Sequence, residues 1–238
     1  AMLSMGGYGL LRFVWQLMGR AIMLRLQVAL LIAALVSEIY GALMCLAATD
    51  IKRIVAYSSV SQMGYFLFGL ASLTPWGVSG AVLQIMTHGI LKALLFMAVG
   101  IIIRASGQRE IGRLGGLSAR LPGAVTCVFL GAAGLAGVPP LVGFHSEWMI
   151  LSGGLRSGYV LLGLLEFGIP VFTAAYGLWL ALRLGLGTPR ELPLAPVHPA
   201  MRWSSYAVAL GALGLGVLPG PLYGLATEAA ALLMRAGP

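Results

Sequence analysis

Charge is scarce in this chain. Asp, Glu, Lys and Arg together make up 9% of its 238 residues, and only seven of those residues are acidic. With 59% apolar residues and a mean hydropathy of +0.95, the balance excludes a water-soluble domain, because too little polar surface exists to cover one. Cysteine is nearly absent: Cys45 and Cys127 both fall inside apolar stretches, without metal-ligand spacing, and read as small buried hydrophobes. No glycine fingerprint follows a strand and no cysteine cluster occurs, so a flavin, nicotinamide, iron–sulfur or metal site is not expected, and the chain is not itself a redox catalyst.

What is present is a series of long apolar runs. A helix needs about 20 apolar residues to cross the hydrocarbon. Ala1 to Leu17 reads as the remainder of a helix, with no basic lead-in or cleavage site of a signal peptide. Six further runs follow: Gln27 to Ala48, Ile54 to Leu73, Val78 to Ile103, Ala124 to Gly153, Tyr159 to Leu184 and the shorter Ser204 to Leu218. The expectation is an all-α polytopic membrane protein with about seven transmembrane helices, one partial and one broken by proline. Residues 1–219 form the membrane part, and 220–238 a short amphipathic tail lying at one membrane surface.

The formal charge of +8 does not point to nucleic acid, since Lys and Arg fall singly or in pairs between apolar runs, where they orient helices in a bilayer. Alternate connections place Lys52, Arg53, Arg104, Arg109, Arg113, Arg120, Arg183, Arg190 and Arg202 on one side, and Arg12, Arg20, Arg25, Arg156 and Arg235 on the other. The richer side is expected to face the cytoplasm.

Several runs are polar in a pattern. Gln84, His88 and Lys92 recur at i, i+4 and i+8, on one helical face about 12 Å long. A lysine at that depth costs about 2.5–3.5 kcal/mol on insertion scales, and an ionisable group there suggests ion transport or a proton relay. Ser58, Ser61, Gln62 and Tyr65 make a second polar face, able to hold water or to bond across helices. In the fifth run Gly137, Pro139, Pro140 and Gly143 interrupt the helix mid-membrane, which is tolerated where a cavity is lined. Glu147 follows that break as a candidate proton carrier, with His145 beside it; Lys92 and Glu147 are expected to attract one another across a hydrated space. Glu38 and Glu166 lie within runs and have three open readings: relay members, neutralisers of a buried cation, or contacts to another subunit. His198, in a proline-rich loop, reads as solvated surface.

Four ordered blocks carry a resemblance: ATDIKRIVAYSSVSQMGY, GAVLQIMTHGILKALLFMAVG, IGRLGGLSARLP and GLAGVPPLVGFHSEWMIL, with MLSMGGYGLLRF also fitting. They resemble the antiporter-like membrane subunits of respiratory complex I, of Mrp-type sodium/proton antiporters and of membrane-bound hydrogenases. That family is built from two inverted repeats, and this chain resembles the second. The resemblance implies that Lys92 is the central lysine of a half-channel, His88 the histidine one turn before it and Glu147 the terminal carrier. It places Gln62 where relatives have His or Gln on a broken helix. It also implies other membrane subunits as partners, protons or sodium as cargo, and a prokaryotic plasma membrane as the location. Two residues depart from the pattern: Ser4 stands where relatives have lysine, and Glu38 is charged where they are apolar or small. The first repeat, with its own charged pair, is not represented, which leaves a non-pumping scaffold as a further reading.

Overall fold

The computed structural model describes residues 2–9, 16–186 and 192–235. Arg12 and Arg190, together with the side chains of Ser4, Arg20 and Arg235, lie outside the described residues. Among the described residues ten α-helices follow in order: α1 (Met2–Gly9), α2 (Gln16–Ala47), α3 (Ile51–Ala71), α4 (Pro75–Ser106), α5 (Pro122–Leu135), α6 (Gly143–Leu155), α7 (Val160–Glu166), α8 (Ile169–Gly185), α9 (Pro199–Val217) and α10 (Gly220–Arg235). Among the described residues there is no strand beyond an isolated bridge between Asp50 and Glu110. The all-α membrane fold therefore stands.

Helix ends follow local chemistry. Asp50 starts α3 by accepting from Lys52 N at 2.7 Å and Arg53 N at 3.2 Å. Thr74 does the same for α4 through Gly77 N at 3.1 Å, with Pro75 at the first turn, where its missing N–H has no helical partner to lose. Gly107, at φ 67°, closes α4 by donating to Ile103 O.

Among the described residues four segments are long and apolar enough to span a bilayer, Ala21–Ala47, Ile51–Ala71, Pro75–Ser106 and Val160–Gly185, and the bent pair of α9 and α10 makes a fifth if counted as one span. The fifth run divides into α5 and α6, of 14 and 13 residues, each too short to span alone. Three expectations change. The second run does not begin at Gln27: α2 begins at Gln16, because arginine is a good helix former and can lay its stem along the apolar surface, so Arg25 carries no stop signal. The sixth run is itself broken, α7 ending at Glu166 and α8 starting at Ile169, since Pro170 has no N–H for the carbonyl of Glu166 four residues back. Finally, Gln62 sits on a continuous helix, not a broken one, as nothing in α3 interrupts the backbone ladder.

Backbone contacts sort the loops into two ends. Ile51 N donates to Arg109 O, Ile111 N to Thr49 O and Ala195 N to Ala105 O, gathering the start of α3, the end of α4 and the long connections at one end. Arg120 and Arg202 share a small pocket there, and Arg104 and Arg183 lie in last helical turns. At the other end, Gln27 Nε2 donates to Ser72 O and Thr74 Oγ1 to Gly153 O, close to Arg25 and Arg156. α10 turns 72° from α9 and packs Ala226 and Ala230 against Val78, Leu83 and Met149 at that second end.

Candidate functional site

α3 and α4 run antiparallel and face each other with polar side chains in an otherwise apolar bundle. On α4, Gln84, His88 and Lys92 are all buried, at 2%, 4% and 6% exposure, so the lysine does not snorkel to an interface. Its ammonium donates to Val55 O at 2.9 Å and to Ser58 Oγ, and Ser58 Oγ in turn donates to Val55 O. Two turns nearer the start of α4, Gln84 Nε2 donates to Gln62 Oε1 at 2.7 Å. Ser58 and Gln62 are one turn apart on α3, as are Lys92 and His88 on α4, so the two faces make a ladder with rungs at Lys92–Ser58 and Gln84–Gln62.

The proline break connects to this ladder for a definable reason. Leu135 ends α5, and the residue four positions on is Pro139, which has no N–H to give to its carbonyl. Gln62 Nε2 donates to Leu135 O instead, at 2.8 Å. Gly137, at φ 65°, turns the chain in a conformation few side chains adopt, and a Cβ there would collide with the carboxyl of Glu147. Glu147 is thereby held in the first turns of α6, buried, within reach of the Gln62 side chain. Beside it Thr87 and Ser146 bond hydroxyl to hydroxyl at 2.9 Å, fastening α4 to α6.

Two further carboxyls lie close by. Glu38 on α2 and Glu166 at the end of α7 are both fully buried and are each other's direct neighbours. The Tyr65 hydroxyl, on α3, is within electrostatic reach of Glu38, Glu147 and Glu166. Of the expected residues the structure thus brings together Lys92, His88, Gln84, Ser58, Gln62, Tyr65, Glu147, Glu38 and Glu166, with Gly137, Pro139 and Pro140 at the break. His145 is placed elsewhere: its Nε2 meets Gly216 O at 2.7 Å and its Nδ1 the Tyr223 hydroxyl at 3.2 Å, so it ties α6 to α9 and α10. Nor do Lys92 and Glu147 form an ion pair; hydroxyl and amide groups stand between the amine and the carboxyl.

Many buried polar atoms of this region lack a protein partner, among them both nitrogens of His88, the hydroxyls of Ser61, Tyr65, Thr173 and Tyr176, Gln84 Oε1 and oxygens of all three glutamates. Thr173 and Tyr176 were not singled out from the sequence, where a lone hydroxyl in an apolar run reads as helix–helix contact. Backbone acceptors such as Val55 O and Leu135 O leave no sequence signal except the proline that frees the second.

Residues 1–173 match the family model described as NADH:quinone oxidoreductase/Mrp antiporter, TM. Among curated relatives, the F(420)H(2) dehydrogenase subunit M of Methanosarcina mazei is 34% identical over 226 residues, covering 93% of this chain and 45% of that protein. The NADH-quinone oxidoreductase subunit M of Rickettsia bellii is 33% identical over 186 residues, covering 78% and 37%. This chain thus spans less than half the length of either relative. In a structure of respiratory complex I from Thermus thermophilus with bound NADH, a chain superposes with TM-score 0.81 at 29% identity, covering 96% of this chain and 49% of that one. A chain of the Mrp complex from Dietzia sp. DQ12-45-1b shares the fold, with TM-score 0.82 at 23% identity, covering 88% and 48%.

Proposed function

Because the chain belongs to the NADH:quinone oxidoreductase/Mrp antiporter transmembrane family, we propose that it supplies a proton-conducting half-channel in a multisubunit membrane complex. The observation that carries this reading is the polar ladder from Lys92 to Glu147 at mid-bundle. Leaving a buried polar group unpaired costs about 1–3 kcal/mol. A file of such groups in one region is the pattern of a hydrated path, since dry packing would carry that cost many times over.

In this path Lys92 holds a proton, with Val55 O and Ser58 Oγ as acceptors for its ammonium. His88, Gln84 and Gln62 line the way to Glu147, which takes the proton up as a carboxyl and gives it back as a carboxylate. Lys92 and Glu147 are not among the charges that act directly on one another, so in this reading a change at one end of the ladder reaches the other by proton movement along the intervening polar groups. Electron transfer in a neighbouring subunit is the source of that change in this reading. Other membrane subunits are its partners, the membrane is the plasma membrane of a prokaryote, and the basic end faces the cytoplasm. α10 lies along the opposite surface.

The test is transport by the assembled complex in sealed vesicles. Lys92→Ala and Glu147→Gln are each expected to lower proton translocation about tenfold, equivalent to about 1.4 kcal/mol on the barrier, while leaving assembly intact. Unchanged pumping in both variants refutes the half-channel and favours a scaffold role. Sodium-dependent transport without any redox donor would instead assign the path to Mrp-type cation exchange.

A further inference from the structure

Glu38 and Glu166 are not rungs of the ladder, yet the fold takes care to place them. At Gly64 an added Cβ would stand 2.8 Å from Ala34 O and 2.9 Å from Glu38 Oε1, so α2 and α3 approach closely because this position has no side chain. Glu166 is delivered by the break that Pro170 forces, on the last residue of α7. Both side chains have 0% exposure, and none of their four oxygens has a well-formed hydrogen bond. The groups facing the pair are Tyr65 from α3, Glu147 from α6 and, next to Tyr65, Thr173 from α8. The Tyr65 and Thr173 hydroxyls are themselves fully buried and adjacent, and neither makes a well-formed hydrogen bond. Lys92 is not among the charges that act on either carboxyl. No third His, Cys, Asp or Glu joins them in metal-holding geometry among the described residues.

Two adjacent carboxylates with no cation between them cannot both carry charge; one proton is retained by the pair. Resting on the half-channel reading above, we propose that Glu38 and Glu166 form a carboxyl pair that shares one retained proton and exchanges a second with Glu147 through the Tyr65 hydroxyl. The step balances. The O–H bond of the pair's carboxyl breaks as its proton passes to the Tyr65 oxygen, while the phenolic proton passes to the Glu147 carboxylate. The pair, doubly protonated before the step, is left sharing one proton and carrying one negative charge, Glu147 becomes neutral and Tyr65 ends unchanged. The line therefore extends sideways from α6 to α2 and α7, to a store for a second proton beside the main path.

Glu38→Gln, Glu166→Gln and the double variant, nearly isosteric changes, test this in the assembled complex, with assembly checked before any other reading. Infrared spectra at neutral pH are expected to show a carboxylic-acid C=O band that shifts in D2O, moves in each single variant and vanishes in the double one. Each single variant is expected to lower proton translocation about tenfold. A band untouched by the double substitution overturns the proposal, as does full transport in all three variants. Displacement of the band by sodium at fixed pH overturns it in favour of a cation site. The two readings fail separately. Normal transport in the Glu38 and Glu166 variants with loss in Lys92→Ala removes the pair and spares the half-channel. The converse pattern, with the band lost on double substitution, removes the half-channel and leaves a shared proton.

Discussion

At the scale of single residues, the polar face of α4 is legible in the sequence because helical spacing is enough to align Gln84, His88 and Lys92, and burial in an apolar run does the rest. Gln62 illustrates what spacing does not reveal. Its amide is committed at both ends, donating to Leu135 O and accepting from Gln84 Nε2. Replacing it with leucine orphans two buried groups at once, each costing about 1–3 kcal/mol. Gln62→Leu is therefore expected to lower the thermal midpoint of the detergent-solubilised complex and to interrupt transport. Adding Gln84→Leu restores part of the stability, since the donor left without an acceptor is then gone, but none of the transport. Equal stability losses that simply add would show the amide pair to be uncoupled. The meeting of Glu38 with Glu166 lies further still from sequence reading, for no periodicity relates residues of α2 and α7. His145 shows the reverse error: closeness to Glu147 in sequence suggested a shared site, but residues two apart on a helix point about 200° apart, and its ring turns to Gly216 and Tyr223.

At the scale of elements, the break between α5 and α6 could be read from Gly137, Pro139 and Pro140, because proline acts on the backbone whatever surrounds it. The break between α7 and α8 rests on the same chemistry at Pro170, but one proline in a long apolar run is also compatible with a kinked, continuous helix, and only packing separates the two. Gly137 links the first break to function. Gly137→Ala imposes a left-handed conformation on alanine, at about 1–2 kcal/mol, and drives its Cβ into the Glu147 carboxyl. Gly107→Ala imposes the same backbone strain at φ 67°, with no atom within 4 Å of the new methyl group and far from the ladder. Proton translocation is expected to fall in the first variant and to hold in the second, at similar losses of stability. A parallel fall in both would mean that backbone strain alone, and not the position of Glu147, governs the rate.

At the scale of the whole molecule, hydropathy was sufficient to find the bundle, and the comparisons to assign its family, while helix boundaries depended on whether a charge stops a helix or merely decorates it. The two ends of the bundle differ in charge: Lys52, Arg53, Arg104, Arg109, Arg113, Arg120, Arg183 and Arg202 cluster at one end, Arg25 and Arg156 at the other. Basic loops tend to be retained in the cytoplasm during insertion, and the proposed orientation rests on this asymmetry. Cysteine labelling reads the orientation directly, because the native Cys45 and Cys127 are buried, at 0% and 2% exposure, and give little background with a membrane-impermeant maleimide. In intact cells Arg156→Cys is expected to react and Arg109→Cys to stay unmodified until the membrane is permeabilised. The opposite pattern would invert the proposed orientation and place the cytoplasm at the Arg25 and Arg156 end. Reaction of both from one side would overturn the assignment of the two loops to opposite ends, and with it the passage of the polar ladder through the bilayer's middle.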